Sequence, residues 1–206
     1  MLEIIQAGGV VLYIIIFCSV IALGFIIERL LVFHVSKCNM AEFYPQLEKY
    51  IKLGKIKDAA IHCKNTSGLL PNLFLVGLKH KDETIENIHR VLVDEVQIHT
   101  LPTMEKNLSV LATIGKGTPM LGLLGTVIGM INTFEVIADV GLGDPQKMAD
   151  GIRLALTTTA GGMMVAIPII FIHAYFRSRI REFELEIYHY LTRFLRILRK
   201  RKEIEE

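Results

Sequence analysis

Three long stretches of the chain carry no charge. Asp, Glu, Lys and Arg are all absent from the 24 residues between Glu3 and Glu28, the 18 between Lys116 and Glu135, and the 23 between Arg153 and Arg177. A membrane-spanning helix takes about 20 apolar residues, so the pattern predicts three transmembrane helices, over 10–33, 109–138 and 151–176. The first run is long enough, at about 1.5 Å per residue, to cross with some tilt. It has no basic n-region and no small-x-small cleavage site after it, so a retained anchor is expected and not a signal peptide.

Between and after these runs the periodicity is helical. Ile85, Ile88, Leu92 and Val96 fall on one helical face. Gly54, Gly68, Pro71 and Pro102 are the expected breaks within 34–108. The last helix of that region is expected to run almost without pause into the second span, because 103–116 holds no strong stop before Gly115. In the tail, Phe183, Ile187, Leu191, Phe194 and Leu198 form an apolar seam for another helix, from the same chain or from a neighbour.

Charge sets the orientation. Residues 1–9 have no Lys or Arg, whereas Arg29 and Lys37 follow the first run. The loop 139–150 has one Lys against Asp139, Asp144 and Asp150, and the tail 177–206 has nine Lys or Arg. Basic residues stay on the cytoplasmic side. The expected fold is therefore an all-α membrane protein: N-terminus outside, three transmembrane helices, a cytoplasmic helical region over 34–108, and a cytoplasmic C-terminal helix. The basic run 193–202 has two readings, an anionic-lipid or nucleic-acid contact and a solvated tail near the inner leaflet; the second is adopted, and no nucleic-acid partner is expected.

Composition narrows the class. The chain of 206 residues is 51% hydrophobic and 21% charged, with mean hydropathy +0.43. These values exclude an ordinary soluble enzyme, a disordered chain and a disulfide-stapled secreted domain. Cys18, Cys38 and Cys63 form no C-x-x-C spacing and read as free thiols. No P-loop, zinc signature or nucleophile elbow occurs. No catalytic residue, metal ligand or cofactor is expected.

The second and third spans are not plain anchors. Gly125 and Gly129 make a G-x-x-x-G spacing beside Pro119 and Gly122, and the third span holds Gly162 and Pro168. Small faces let helices approach closely in lipid, where no hydrophobic drive acts between them, and tight packing alone accounts for the glycines. The threonines open a second reading. Thr126 shares a face with Pro119, Gly129 and Thr133, and Thr159 shares one with Ala155 and Gly162. Counted from Glu135 and Arg153, Thr126 and Thr159 lie about 13.5 and about 9 Å inside the outer boundary. Their hydroxyls, with Thr133 and Thr158, either line an ion path or bond back to their own helix carbonyls. Glu135, Lys116 and His173 read as boundary residues.

At these residues the chain resembles the inner-membrane proton channel family that includes ExbB, TolQ and MotA. The matching stretches are GTPMLGLLGTVIGMINTF at 117–134, ALTTTAGGMMVAIP at 155–168 and the first span with its closing Glu28-Arg29. The three-span topology suits the ExbB and TolQ branch better than the four-span stators. The resemblance implies a homopentamer in the bacterial inner membrane, with the second and third spans lining a bore. It implies a single-span ExbD- or TolR-like partner whose membrane Asp carries protons driven by the proton-motive force, and a TonB- or TolA-like protein that receives the movement. It places the family's bore threonines on Thr126 and Thr159 and its motif proline on Pro168. Many relatives have a Glu where this chain has Leu154, so the bore is expected to lack an acid of its own. Two alternatives stay open: a structural membrane scaffold without ion flux, and a sodium-driven stator of the same family.

Overall fold

The computed structural model describes residues 9–36, 38–140 and 145–205. The expectations for residues 1–8, for Lys37 and for 141–144 of the loop, Asp144 included, lie outside the described residues. Among the described residues the regular secondary structure is entirely helical. The helices are α1 (Gly9–Ser36), α2 (Met40–Lys52), α3 (Ile56–Asn65), α4 (Leu69–Lys79), α5 (Ile85–Glu95), α6 (Leu101–Glu105), α7 (Leu108–Val140) and α8 (Pro145–Glu205), with a π turn, Val96–Thr100, between α5 and α6. Helices α1, α7 and α8 each contain a stretch long and apolar enough to cross a membrane. Contacts divide the chain into two compact units.

The first unit comprises Met1–Glu28 and Asn107–Phe176, and so holds most of α1, all of α7 and the first part of α8. Its outward side chains are large and apolar, among them Phe17, Leu23, Leu123, Phe134, Met164 and Phe171. Exposed residues of this kind belong in hydrocarbon, where apolar surface carries no hydration cost. Many of its inward positions are small or hydroxylated, with Ala22, Thr118, Thr133, Ala155, Thr158 and Ala166 all buried beside larger residues such as Ile15, Leu111, Ile169 and Phe176.

The second unit comprises Arg29–Lys106 and Arg177–Glu206 and is packed in the manner of a water-soluble bundle. Its core joins Tyr44, Leu47 and Ile51 of α2, Leu73 and Phe74 of α4, and Ile88 and Leu92 of α5 to Ile187, Leu191, Phe194 and Leu198 of α8. The apolar seam of the tail is thus covered by its own chain. Phe194 lies 5.1 Å from Phe74 between ring centroids. Gly77 makes room for it, since a Cβ there would stand 2.6 Å from Phe194 Cε1. Cys63 is buried in this core, and burial pushes its thiol up to about 12.

Local chemistry sets most of the boundaries. Gly54, at φ +74°, follows the end of α2, and Lys55 N–H closes on Tyr50 O at 3.0 Å, the αL termination that glycine permits. Thr84 caps α5 by accepting from Asn87 N–H at 3.3 Å. The region before the second span departs from expectation. Pro102 does not break the chain; the helix accommodates it by widening into the π turn just before it. The stop comes instead at Lys106–Asn107, where Asn107 adopts φ +63°, so the helix does not run on into α7. Two adjacent residues at the end of the first span meet this turn. Glu28 Oε2 accepts from Asn107 Nδ2 at 2.7 Å. Arg29, only 2% exposed, donates from Nη1 to Thr103 O at 3.0 Å and to Met104 O at 3.4 Å. A cation is well placed on carbonyls that a helix C-terminus leaves unpaired.

The turn makes a prediction. Asn tolerates the left-handed region better than other residues with a Cβ, and a β-branched residue tolerates it least. Asn107→Gly is expected to melt within a few degrees of the parent. Both variants lose the Glu28 bond, and Asn107→Val alone adds about 1–2 kcal/mol of backbone strain, so it is expected to melt below Asn107→Gly. Thermal unfolding in detergent, followed by circular dichroism, checks the order; equal melting of both variants contradicts it.

Candidate ion path

Helices α7 and α8 run antiparallel and meet along a seam made mostly of glycine, alanine and threonine, with Leu111 and Ile169 toward one end. Leu111, Gly115, Thr118, Gly122, Gly125, Gly129 and Thr133 on α7 are all buried, and their three- and four-residue spacing keeps them on one face. Facing them on α8 are Gly151, Ala155, Thr158, Gly162 and Ile169. A Cβ added at Gly122 would stand 3.0 Å from Thr158 O and 3.0 Å from Thr159 Cα. One at Gly129 would stand 2.8 Å from Gly151 O, and one at Gly162 would stand 2.6 Å from Thr118 O. At Gly125 it would run into the Thr158 side chain, and at Gly151 into Thr133 Oγ1. Backbone therefore lies against backbone, the close approach that dispersion and small residues allow in a membrane.

The hydroxyls divide by position. Thr133 and Thr158, 4% and 0% exposed, sit inside the seam and bond to their own helices: Thr133 Oγ1 to Gly129 O at 2.9 Å, Thr158 Oγ1 to Ala155 O at 2.9 Å. Thr126 flanks the seam, half-buried, and donates to Leu123 O at 2.6 Å. Thr159 is also half-buried, but its hydroxyl leaves its helix and donates to Gly122 O of α7 at 3.1 Å. The two flanking hydroxyls thus bond to the carbonyls of two consecutive α7 residues, Leu123 and Gly122.

The prolines are carried inside continuous helices, Pro119 half-buried in α7 and Pro168 exposed in α8. Each removes one amide donor from the ladder. Leu154 is half-buried and packs toward α1, where a Cβ on Gly9 would meet its Cδ1 at 3.4 Å. Leu12 of α1 likewise closes on Gly161. Glu135 and Lys116 are exposed and His173 is half-buried. Arg153 pairs with Asp150 at 3.4 Å on the surface. Among the described residues no group of three or more His, Cys, Asp or Glu is arranged to hold a metal ion.

Sequence reasoning missed two seam members, Thr118 and Gly151. Extending the small-residue period one turn in each direction from Gly122 and Ala155 finds both. The cross-helix bond of Thr159 had no such signal, because spacing alone cannot tell a hydroxyl that bonds backward from one that bonds across.

A helical multi-pass membrane protein built on a small-residue helix pair is the class that this fold and seam define. The profile of the MotA/TolQ/ExbB proton channel family matches residues 65–189, more than half of the chain, and the chain belongs to that family. It is 30% identical to the biopolymer transport protein ExbB homolog of Methanothermobacter thermautotrophicus over 187 residues, 87% of this chain and 63% of that protein. It is 37% identical to the biopolymer transport protein ExbB of Aquifex aeolicus over 79 residues, 38% of this chain and 53% of that one. It is 35% identical to the Tol-Pal system protein TolQ of Pseudomonas aeruginosa over 98 residues, 48% of this chain and 42% of that one. The chain thus spans less than two thirds of the length of each of these relatives.

Proposed function

We propose that this chain is the channel and motor subunit of an inner-membrane complex that takes energy from the proton-motive force. In this reading a homo-oligomer, a pentamer, arranges α7 and α8 of each copy around a bore. A single-span partner of the ExbD or TolR type brings an Asp into that bore, and its movement passes to a TonB- or TolA-like protein. The N-terminus lies outside and the second unit in the cytoplasm, as the distribution of Lys and Arg requires.

One observation carries the reading: the Thr126 and Thr159 hydroxyls flank the seam in spans whose deep parts contain no acid. Both protons are already committed, to Leu123 O and Gly122 O. Each oxygen is left with lone pairs to offer, since a hydroxyl has one donor and two acceptor sites. With these bonds in place such oxygens accept from a protonated carboxyl or ligate a cation; donating to a carboxylate requires a hydroxyl to give up its carbonyl. They therefore favour the neutral, proton-loaded form of a partner Asp at this depth. Thr133 and Thr158 serve the seam in this scheme and Thr126 and Thr159 the path, with Gly122, Gly125, Gly129 and Gly162 holding the two helices together. The same lone pairs suit Na⁺, which keeps a sodium-driven stator as the second reading. Because the Gly122, Gly125, Gly129 and Gly162 faces are used between α7 and α8 of one copy, a scaffold that assembles through them loses support.

Replacing Thr126 or Thr159 with Val keeps the shape and removes the acceptor. Loss of the Thr159 bond costs about 0.6 kcal/mol, the usual size for a bond between membrane helices, so assembly judged by native mass spectrometry is expected to survive. Growth that depends on the energised complex is expected to fall strongly in both variants. Unchanged growth in both supports the scaffold.

A further inference from the structure

The cations of the α8 tail are not equivalent. Arg193 lies 4.6 Å from the Tyr44 ring centroid and 3.5 Å from Glu48 Oε2. Lys202 donates to Glu83 O. Arg199 reaches Glu86 loosely, at 3.9 Å. Arg196 makes no hydrogen bond or ion pair among the described residues. It opens instead into a groove of about 500 Å³ between α5 and α8, within the size range of small-molecule sites. Ile85 and Leu195, both half-buried, make the apolar floor. Thr192, Arg196 and Arg199 stand at helical spacing along one wall, with His89 opposite. Two guanidiniums one turn apart face a single carboxylate, Glu86.

We propose that this groove binds a phosphorylated small molecule with a flat apolar body, of the nucleotide class. Arg196 and Arg199, at i and i+3, are neighbours on the helix surface and present planar donor forks matched to phosphoryl oxygens. The floor takes the body, and Thr192 and His89 offer polar contacts at its edge. A lipid headgroup carries the same phosphate chemistry. However, Arg196 follows Arg177 by 19 residues, about 28 Å along a helix, which is too far for a headgroup at the membrane boundary that Arg177 marks. A soluble ligand is the source that fits.

Full-length protein in detergent is titrated calorimetrically with ADP and with inorganic phosphate, at low and high salt. A second arm offers phosphatidylglycerol nanodiscs. The expected result is saturable ADP binding, weaker at high salt, that drops at least tenfold in Arg196→Gln and in Leu195→Glu. Arg196→Gln should keep the parent helicity, because Arg196 holds nothing else. The proposal is overturned if ADP binding is not saturable, if Arg196→Gln binds as the parent does, or if only the anionic nanodiscs bind. None of these results bears on the ion path, whose readouts are ion flux and growth, without added nucleotide.

Discussion

Vesicles containing this protein alone are expected to hold an imposed proton gradient as well as empty vesicles do. The argument rests on what the spans lack. A proton crossing hydrocarbon needs a titratable group or a continuous water wire, and an ionised side chain at the helix centre costs about 2.5–3.5 kcal/mol on insertion scales. The deep parts of the three spans contain no Asp, Glu or Lys. Leu154, where the family resemblance leads to the expectation of a Glu, is packed toward α1. Flux should appear only when a single-span partner brings an Asp beside Thr126 and Thr159, and should vanish when that Asp is changed to Asn. A parallel measurement with a sodium gradient separates the two candidate ions. Strong proton flux through the unpartnered protein would reject this account and turn attention to Glu135 and His173.

The second large effect concerns Gly162. A Cβ there would stand 2.6 Å from Thr118 O and 3.2 Å from Gly122 Cα. Both are backbone atoms, so no rotamer can move them aside. Gly162→Ala must push α7 and α8 apart along the seam, which costs at least the ~1–3 kcal/mol usual for overpacking; Gly162→Val should abolish recovery of folded protein. Gly117, in α7, is the control, since nothing lies within 4 Å of an added Cβ. Alanine there gains about 1 kcal/mol of helix propensity. Thermal unfolding in detergent should place Gly162→Ala well below the parent and Gly117→Ala at or above it. Equal stability of the two variants would mean that the seam is looser than these distances require.

Sequence pattern was a good guide wherever periodicity and burial agree. The three charge-free runs, the Ile85–Ile88–Leu92–Val96 face and the tail seam all became buried faces or membrane-length helices. The glycines of the second span lie close against Gly151, Ala155, Thr158 and Thr159 of α8. The failures have a common cause, which is that the deciding partner is distant in the chain. Lys106-Asn107 contains neither Gly nor Pro. What holds its turn is Glu28, 79 residues away, while Arg29 holds the carbonyls just before it. No window of local sequence contains that information. Thr126, Thr133, Thr158 and Thr159 look alike in composition, yet two fill the seam and two flank it, and for the adjacent Thr158 and Thr159 a shift of one residue in helix register would exchange the roles. Periodicity locates a face to within about a residue, and here one residue separates a packing hydroxyl from one beside a path.

The seam also limits how the pair can deform. Helices joined by long side chains can slide or roll as those chains change rotamer, and each rearrangement finds a new set of contacts. Between α7 and α8 there are few rotamers to change. Glycine and alanine have none, and Thr133 and Thr158 are tied to their own carbonyls. A slide of one residue along α8 would bring the Cβ of Thr157 or Thr159 against Gly122 and Gly125, with nowhere for it to go. The two helices thus have one register and behave mechanically as a single double-stranded stave. Any movement of this pair is therefore movement of the two helices together, and not flexing between them.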